Sequence, residues 1–185
     1  MVRAALTVLA LLLPVVASAA APQRIIELWR DHRPQPRGEE LLRSTMMAAH
    51  NGARREYGVA PLTWDAALAR DAKAYAQILA QSYRFEHDPQ RGRQVRQGEN
   101  LWMGTRNAFS YGEMIGQLVD ERRFYRPGRF PDVSRGGDWS QVGHYTQIIW
   151  PSSLRFGCAT ASNRTRDYLV CHYSPAGNII GTVLR

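Results

Sequence analysis

Lysine is nearly missing from this chain. Among 24 basic residues, Lys73 is the only lysine, and the rest are arginines spread along the sequence. Only short local groups occur, such as Arg91, Arg93 and Arg96, and no nucleic-acid motif accompanies them. A specific nucleic-acid role is therefore not expected. After the first 16 residues there is no second apolar run of membrane-spanning length, so the mature chain has no expected transmembrane segment. Internal repeats and low-complexity tracts are missing. So are the G-x-S-x-G elbow, the H-E-x-x-H helix and an activated cysteine, which removes the common hydrolase signatures.

The N-terminus reads as a leader spanning residues 1–19. Arg3 supplies the positive end, Leu6 to Val16 the apolar core, and Ala17-Ser18-Ala19 the small-residue cleavage site. The protein is thus expected outside the cytoplasm, secreted or periplasmic. Losing Arg3 with the leader takes the net charge from +8 to +7. Such a surface attracts anionic polymers through long-range fields, or is simply a solvated basic exterior. Residues 20–38 form a lead-in, broken by Arg33-Pro34-Gln35-Pro36-Arg37-Gly38. Residues 39–185 suit one compact domain, expected to be a monomer.

Helical spacing governs the first half of that domain. Leu42, Met46, Ala49 and Ala53 recur at three- and four-residue steps over 39–57, with Gly58 placed to cap. Asp65 is the N-cap of a second helix with a stripe of Leu68, Ala72, Tyr75, Ala76 and Leu79. Ser110 and Glu113 make a capping box for a third helix, with Ile115, Leu118, Val119 and Arg122 along one side. Between helices two and three, residues 83–107 read as a long irregular loop punctuated by Pro89, Gly92, Gly98 and Gly104. A second loop runs from 126 to 141.

The second half reads as strands. Residues 156–160 and 168–173 flank a polar turn region at 162–167. In such a hairpin Cys158 and Cys171 share a register sum with 160 and 169, which makes them cross-strand neighbours. A pair of cysteines in an exported chain reads as a disulfide, worth about 3 kcal/mol by loop-closure entropy; two reduced core thiols are the other reading. Helices first and strands later, with no βαβ alternation, predict an α+β fold.

Several blocks carry chemistry as well as pattern. Gly143-His144-Tyr145-Thr146-Gln147-Ile148-Ile149-Trp150 sets four polar side chains before an apolar run. Gly98-Glu99-Asn100-Leu101 and Cys171-His172-Tyr173-Ser174-Pro175 are comparable clusters, and Gly58 to Asp65 joins the first two helices. In this order and spacing they resemble the CAP superfamily (cysteine-rich secretory, antigen 5 and pathogenesis-related 1 proteins, or SCP domains). The resemblance covers about residues 41–182 and implies a three-layer α-β-α sandwich. It also implies a cleft built by His87, Glu99, Glu121 and His144. The chain departs from the family pattern at Asp88, Leu118, His172 and Ala176, where serine, tryptophan, asparagine and a second proline are usual.

His87 and His144 are the expected ligands of zinc or another divalent cation, with Glu99 and Glu121 beside them. A His–Glu hydrogen-bond network without metal uses the same residues. Three functions stay open. One is a non-enzymatic binding module for a lipid or sterol, with Phe130, Pro131 and Trp139 as a candidate wall. Another is a metal-dependent hydrolase using Glu99 or Glu121 as general base. The third is a cell-surface role through an anionic polymer or protein partner. His172 is expected to sit beside the disulfide without a chemical role, and Asn100 to hold a turn.

Overall fold

The computed structural model describes residues 34–92 and 94–185. The expected leader and most of the lead-in lie outside the described residues. Four α-helices follow in chain order: α1 (Glu39–Tyr57), α2 (Ala66–Ser82), α3 (Tyr111–Val119) and α4 (Gly143–Ile148). The strands are β1 (Thr63–Trp64), β2 (Gly98–Thr105), β3 (Gly128–Arg129), β4 (Arg155–Ser162), β5 (Arg166–Ser174) and β6 (Val183–Leu184). The main sheet has the order β1-β4-β5-β2. Its long strands are antiparallel, while β1 runs parallel to β4.

Local signals act where spacing predicted them. Gly58 takes φ 83°, and its N–H bonds the carbonyls of Arg54 and Arg55, closing α1. Asp65 accepts from the N–H groups of Ala67 and Leu68 and starts α2. Both halves of the Ser110–Glu113 capping box form. The hairpin pairs Cys158 with Cys171 and Thr160 with Leu169, and the cysteines are disulfide-bonded.

The sheet divides two cores. On one face Ala72, Tyr75, Ala76 and Leu79 of α2 pack on Leu101, Ala159, Tyr168 and Val170. Small alanines let α2 come close. A Cβ on Gly157 would lie 2.3 Å from the Ala69 backbone nitrogen, so this strand position needs glycine. On the other face α1, α3 and α4 bury Met46, Met114, Ile115, Leu118, Ile148, Ile149 and Trp150 against Phe156, Leu169 and Tyr173. The result is the expected α-β-α sandwich.

Two loop expectations need correction. Residues 83–107 contain β2, an eight-residue edge strand. Gly98 and Gly104 look like breakers but are steric requirements. Added Cβ atoms would lie 2.2 Å from Gln147 Oε1 and 2.3 Å from Trp102 Cη2. In the 126–141 segment, Phe130 is 3% exposed and belongs to the core, so it is no open wall. Arg122 is also off the buried side of α3. The helix has already ended at Val119, and exposed Arg122 bonds Glu56 at 2.7 Å.

Arg54 ties the second core together. It is fully buried. Its Nε donates to the Ala60 carbonyl at 2.6 Å, Nη1 to those of Ile148 and Trp150 at 3.0 and 2.9 Å, and Nη2 to that of Ser153 at 3.1 Å. Carbonyl dipoles thus solvate a cation in place of water, although burial still lowers its pKa. Replacing it with methionine fills the space but strands the carbonyls, each at about 1–3 kcal/mol. Arg54→Met should lose more than about 3 kcal/mol in urea unfolding. A loss below about 1 kcal/mol would remove Arg54 from this role.

Candidate functional site

Two consecutive residues of edge strand β2 organise the site. Glu99 points to the α2 side of the sheet and Asn100 to the α4 side, because strand side chains alternate. Each fixes one of the two predicted histidines.

On the α2 side, Glu99 Oε1 accepts from His87 Nδ1 at 2.6 Å and from the Asp88 N–H at 3.1 Å. Its other oxygen meets His172 Nε2 at 3.0 Å. Strand register explains this third contact, since Glu99 pairs with His172 across β2 and β5. The expectation that His172 only flanks the disulfide is therefore corrected. The carboxylate side chain is 4% exposed, His172 0% and His87 67%. Burial alone would raise the Glu99 pKa, but hydrogen bonds from His172, His87 and the Asp88 amide outweigh it and hold the carboxyl below its ordinary value. The same bond to Glu99 raises the His87 pKa against partial desolvation.

The loop bearing His87 is braced. Tyr75 donates to the Glu86 carbonyl at 2.7 Å, and the Gln90 side chain bonds both the N–H and C=O of Gln97 at 2.8 Å. These contacts set the approach of His87 to β2.

On the other side, α4 begins without a side-chain cap of its own. Glu121, from the short 3-10 helix Asp120–Phe124 that extends α3, supplies the missing acceptor. Its Oε2 accepts the N–H groups of His144 and Tyr145 at 3.0 and 3.1 Å, while Oε1 meets His144 Nδ1 at 2.5 Å. A carboxylate at the positive end of a helix is favourable. The same contact orients the imidazole.

Asn100 then holds α4 from below. Its Nδ2 donates to the His144 carbonyl at 3.0 Å and to Tyr173 Oη at 3.1 Å. It therefore sits in a strand and not at the expected turn. Tyr173 Oη lies 2.7 Å from His50 Nε2, and His50 Nδ1 lies 2.8 Å from the Met46 carbonyl. A carbonyl only accepts, so Nδ1 carries the proton and Nε2 accepts from Tyr173. His50 neighbours Cys158 and Cys171, but its two nitrogens and the disulfide are already used, which leaves no metal site there.

The four predicted residues thus form two His–Glu pairs on either side of β2. Among the described residues, they do not draw together as three or more ligand atoms within 4.8 Å. Two groups do: His50 with the disulfide-bonded Cys158 and Cys171, and Asp88 with Glu99 and His172. In both pairs Nδ1 faces the carboxylate. Among the described residues Nε2 of His87 and of His144 makes no hydrogen bond.

The profile of the CAP, or cysteine-rich secretory protein, family matches residues 47–173. The chain belongs to the CAP family. Pathogenesis-related protein 1B of Nicotiana tabacum is 36% identical over 134 residues, covering 72% of this chain and 74% of its own. The basic form of pathogenesis-related protein 1 from the same plant is 39% identical over 135 residues, covering 71% and 69%. A solved structure described as NaASP2 with Zn2+ superposes with a TM-score of 0.64 at 22% identity, over 81% of this chain and 88% of the other. That likeness shows a shared CAP fold. No helix among the described residues is long and apolar enough to cross a membrane.

His50 gives this CAP domain an acid sensitivity. Burial lowers its pKa from 6.5 to about 4. Above pH 6.5 neither state binds the proton and the fold bears no cost. As pH falls from 6.5 to 4 the unfolded chain takes up a proton that the folded one refuses, so stability drops by about 3 kcal/mol. Urea unfolding at pH 7 and pH 4 should show that extra loss in the wild type relative to His50→Gln. Equal losses would contradict the buried, unprotonated ring.

Proposed function

We propose that this protein is an exported, non-enzymatic CAP-family binding protein whose His87–Glu99 and His144–Glu121 pairs serve a divalent cation, zinc above all. One observation carries the reading. Both imidazoles spend Nδ1 on a carboxylate and keep Nε2 for something else. Carboxylate–histidine pairs are the usual outer support of zinc-bound imidazole, fixing the tautomer and raising ligand basicity. Two neutral nitrogen donors suit zinc, and the remaining positions would fall to water or a ligand's own atoms. The solved CAP structure that carries Zn2+ in its description supports the choice of metal. The family's description as secretory, and the leader-like residues 1–19, support export.

Zinc bound there would act as a Lewis acid toward a ligand oxygen or a water. The chain's own residues do quieter work. Glu99 and Glu121 each accept three hydrogen bonds. Both are engaged as orienting groups, and neither is left over as the general base that the hydrolase reading needs. A surface groove of about 520 Å³ lies elsewhere, lined by Leu42, Trp64 and Ala69 together with the charged Glu39, Arg43 and Lys73. Its mixed lining suits an amphipathic ligand, such as a lipid with a polar head, and Phe130, being buried, offers no such wall in the 126–141 segment. An anionic polymer or a protein partner would instead meet the arginine-rich exterior.

Calorimetric titration of the metal-free protein with zinc at pH 7.5 should give saturable heat and a rise in melting temperature. His87→Ala and His144→Ala should each abolish or sharply weaken it. Glu99→Gln and Glu121→Gln should weaken it about 10- to 100-fold. Affinity should also fall toward pH 6, because the raised pKa of His87 lets a proton compete for Nε2. No heat and no thermal shift at near-millimolar zinc would sink the metal reading.

A further inference from the structure

We infer that His172 is a positioning residue: by clamping Glu99 from the buried side, it dictates the tautomer and orientation of His87 and so the metal affinity of the exposed ring. This rests on the zinc reading for its affinity readout, but not for its geometry.

A nearly buried carboxylate such as that of Glu99 rotates about its last torsion freely unless both oxygens are held, because that sp³–sp² torsion is broad. Oε1 faces His87 and the Asp88 amide; Oε2 faces only His172 among the described residues. Removing the His172 contact leaves Oε2 buried without a donor. The group would then turn to share its remaining donors, at the expense of the 2.6 Å contact to His87. His87 is the partner with freedom to give way, since its side chain is 67% exposed. An unsupported histidine in water favours the proton on Nε2, which is the wrong tautomer for an outward nitrogen donor.

The surroundings of His172 fit this role. Its ring is fully buried, and Nδ1 has no hydrogen-bond partner. A proton on Nε2 satisfies Glu99 and leaves Nδ1 as an unpaired acceptor, which costs less than burying an unpaired N–H. The backbone forbids much adjustment. Residue 172 pairs with Glu99 on one side and Gly157 on the other, and the preceding residue is tied by the disulfide to Cys158. A ring at this position therefore delivers one N–H in one direction. The metal-ligating alternative, a cation held directly by Asp88, Glu99 and His172, would have to replace the contact between the nearly buried Glu99 carboxylate and the fully buried His172 ring.

Nitrogen-15 NMR of the imidazoles in the metal-free, full-length protein tests the geometry. In the wild type His87 should carry its proton on Nδ1 and His172 on Nε2. His172 protonated on Nδ1 instead would overturn the proposal without any variant. In His172→Leu the His87 signal should move toward the Nε2-protonated form, and zinc should bind at least about tenfold more weakly by calorimetry. His172→Asn, which keeps an amide donor at this position, should recover affinity to within about threefold. A Leu variant with the wild-type His87 tautomer and zinc affinity would refute positioning. So would zinc binding that survives His87→Ala but vanishes in His172→Leu, because the cation would then sit on His172 itself. A wild type that binds no zinc removes the metal reading alone. The tautomer shift in His172→Leu would still support the positioning role, and an unchanged tautomer would reject it.

Discussion

Arg54 lies with no exposed surface between α1 and the far end of α4, and four carbonyl oxygens replace its water. No carboxylate accompanies it among these partners. A cation placed there without those acceptors would be prohibitively costly, so the backbone must present them. Three come from the short stretch Ile148–Ser153, which starts at the last residue of α4. The position of that helix is thereby dictated from its C-terminal end, and Glu121 fixes the other end by taking the two amides of His144 and Tyr145. A six-residue helix has little stability of its own. Here it is held at both ends by charged groups from α1 and from the turn after α3, and His144 inherits its place from that arrangement.

The same economy applies across β2. Glu99 and Asn100 are neighbours in the chain, yet their side chains reach opposite layers of the sandwich. One steadies His87; the other steadies the His144 carbonyl and, through Tyr173, His50 of α1. The two His–Glu pairs are therefore not independent decorations. They hang from one edge strand, where unpaired main chain and solvent are both close. Each carboxylate is held by three hydrogen-bond contacts, so both pairs are fixed in orientation.

Much of this could be read from the residues in advance. Helical spacing, the Asp65 cap, the Ser110–Glu113 box and the cross-strand cysteines are local patterns, and each appears as expected. The four residues that the family resemblance implied pair as two carboxylate-held imidazoles. What escaped was whatever depends on partners distant in sequence. β2 was hidden because Gly98 and Gly104 mimic turn residues, whereas they make room for Gln147 and Trp102. His172 was passed over because only the β2–β5 register sets it beside Glu99, 73 residues earlier. Arg54 gave no warning at all. Carbonyl acceptors belong to every residue and leave no signature in sequence.

The central proposal is that His87 and His144, each anchored by a carboxylate, share a single cation. X-ray absorption at the zinc edge, on protein loaded with one equivalent, measures that coordination directly. The account predicts two imidazole nitrogens at about 2.0–2.1 Å, with light-atom ligands from water completing the shell and no sulfur. A shell built from carboxylate oxygens, with one imidazole or none, would contradict it.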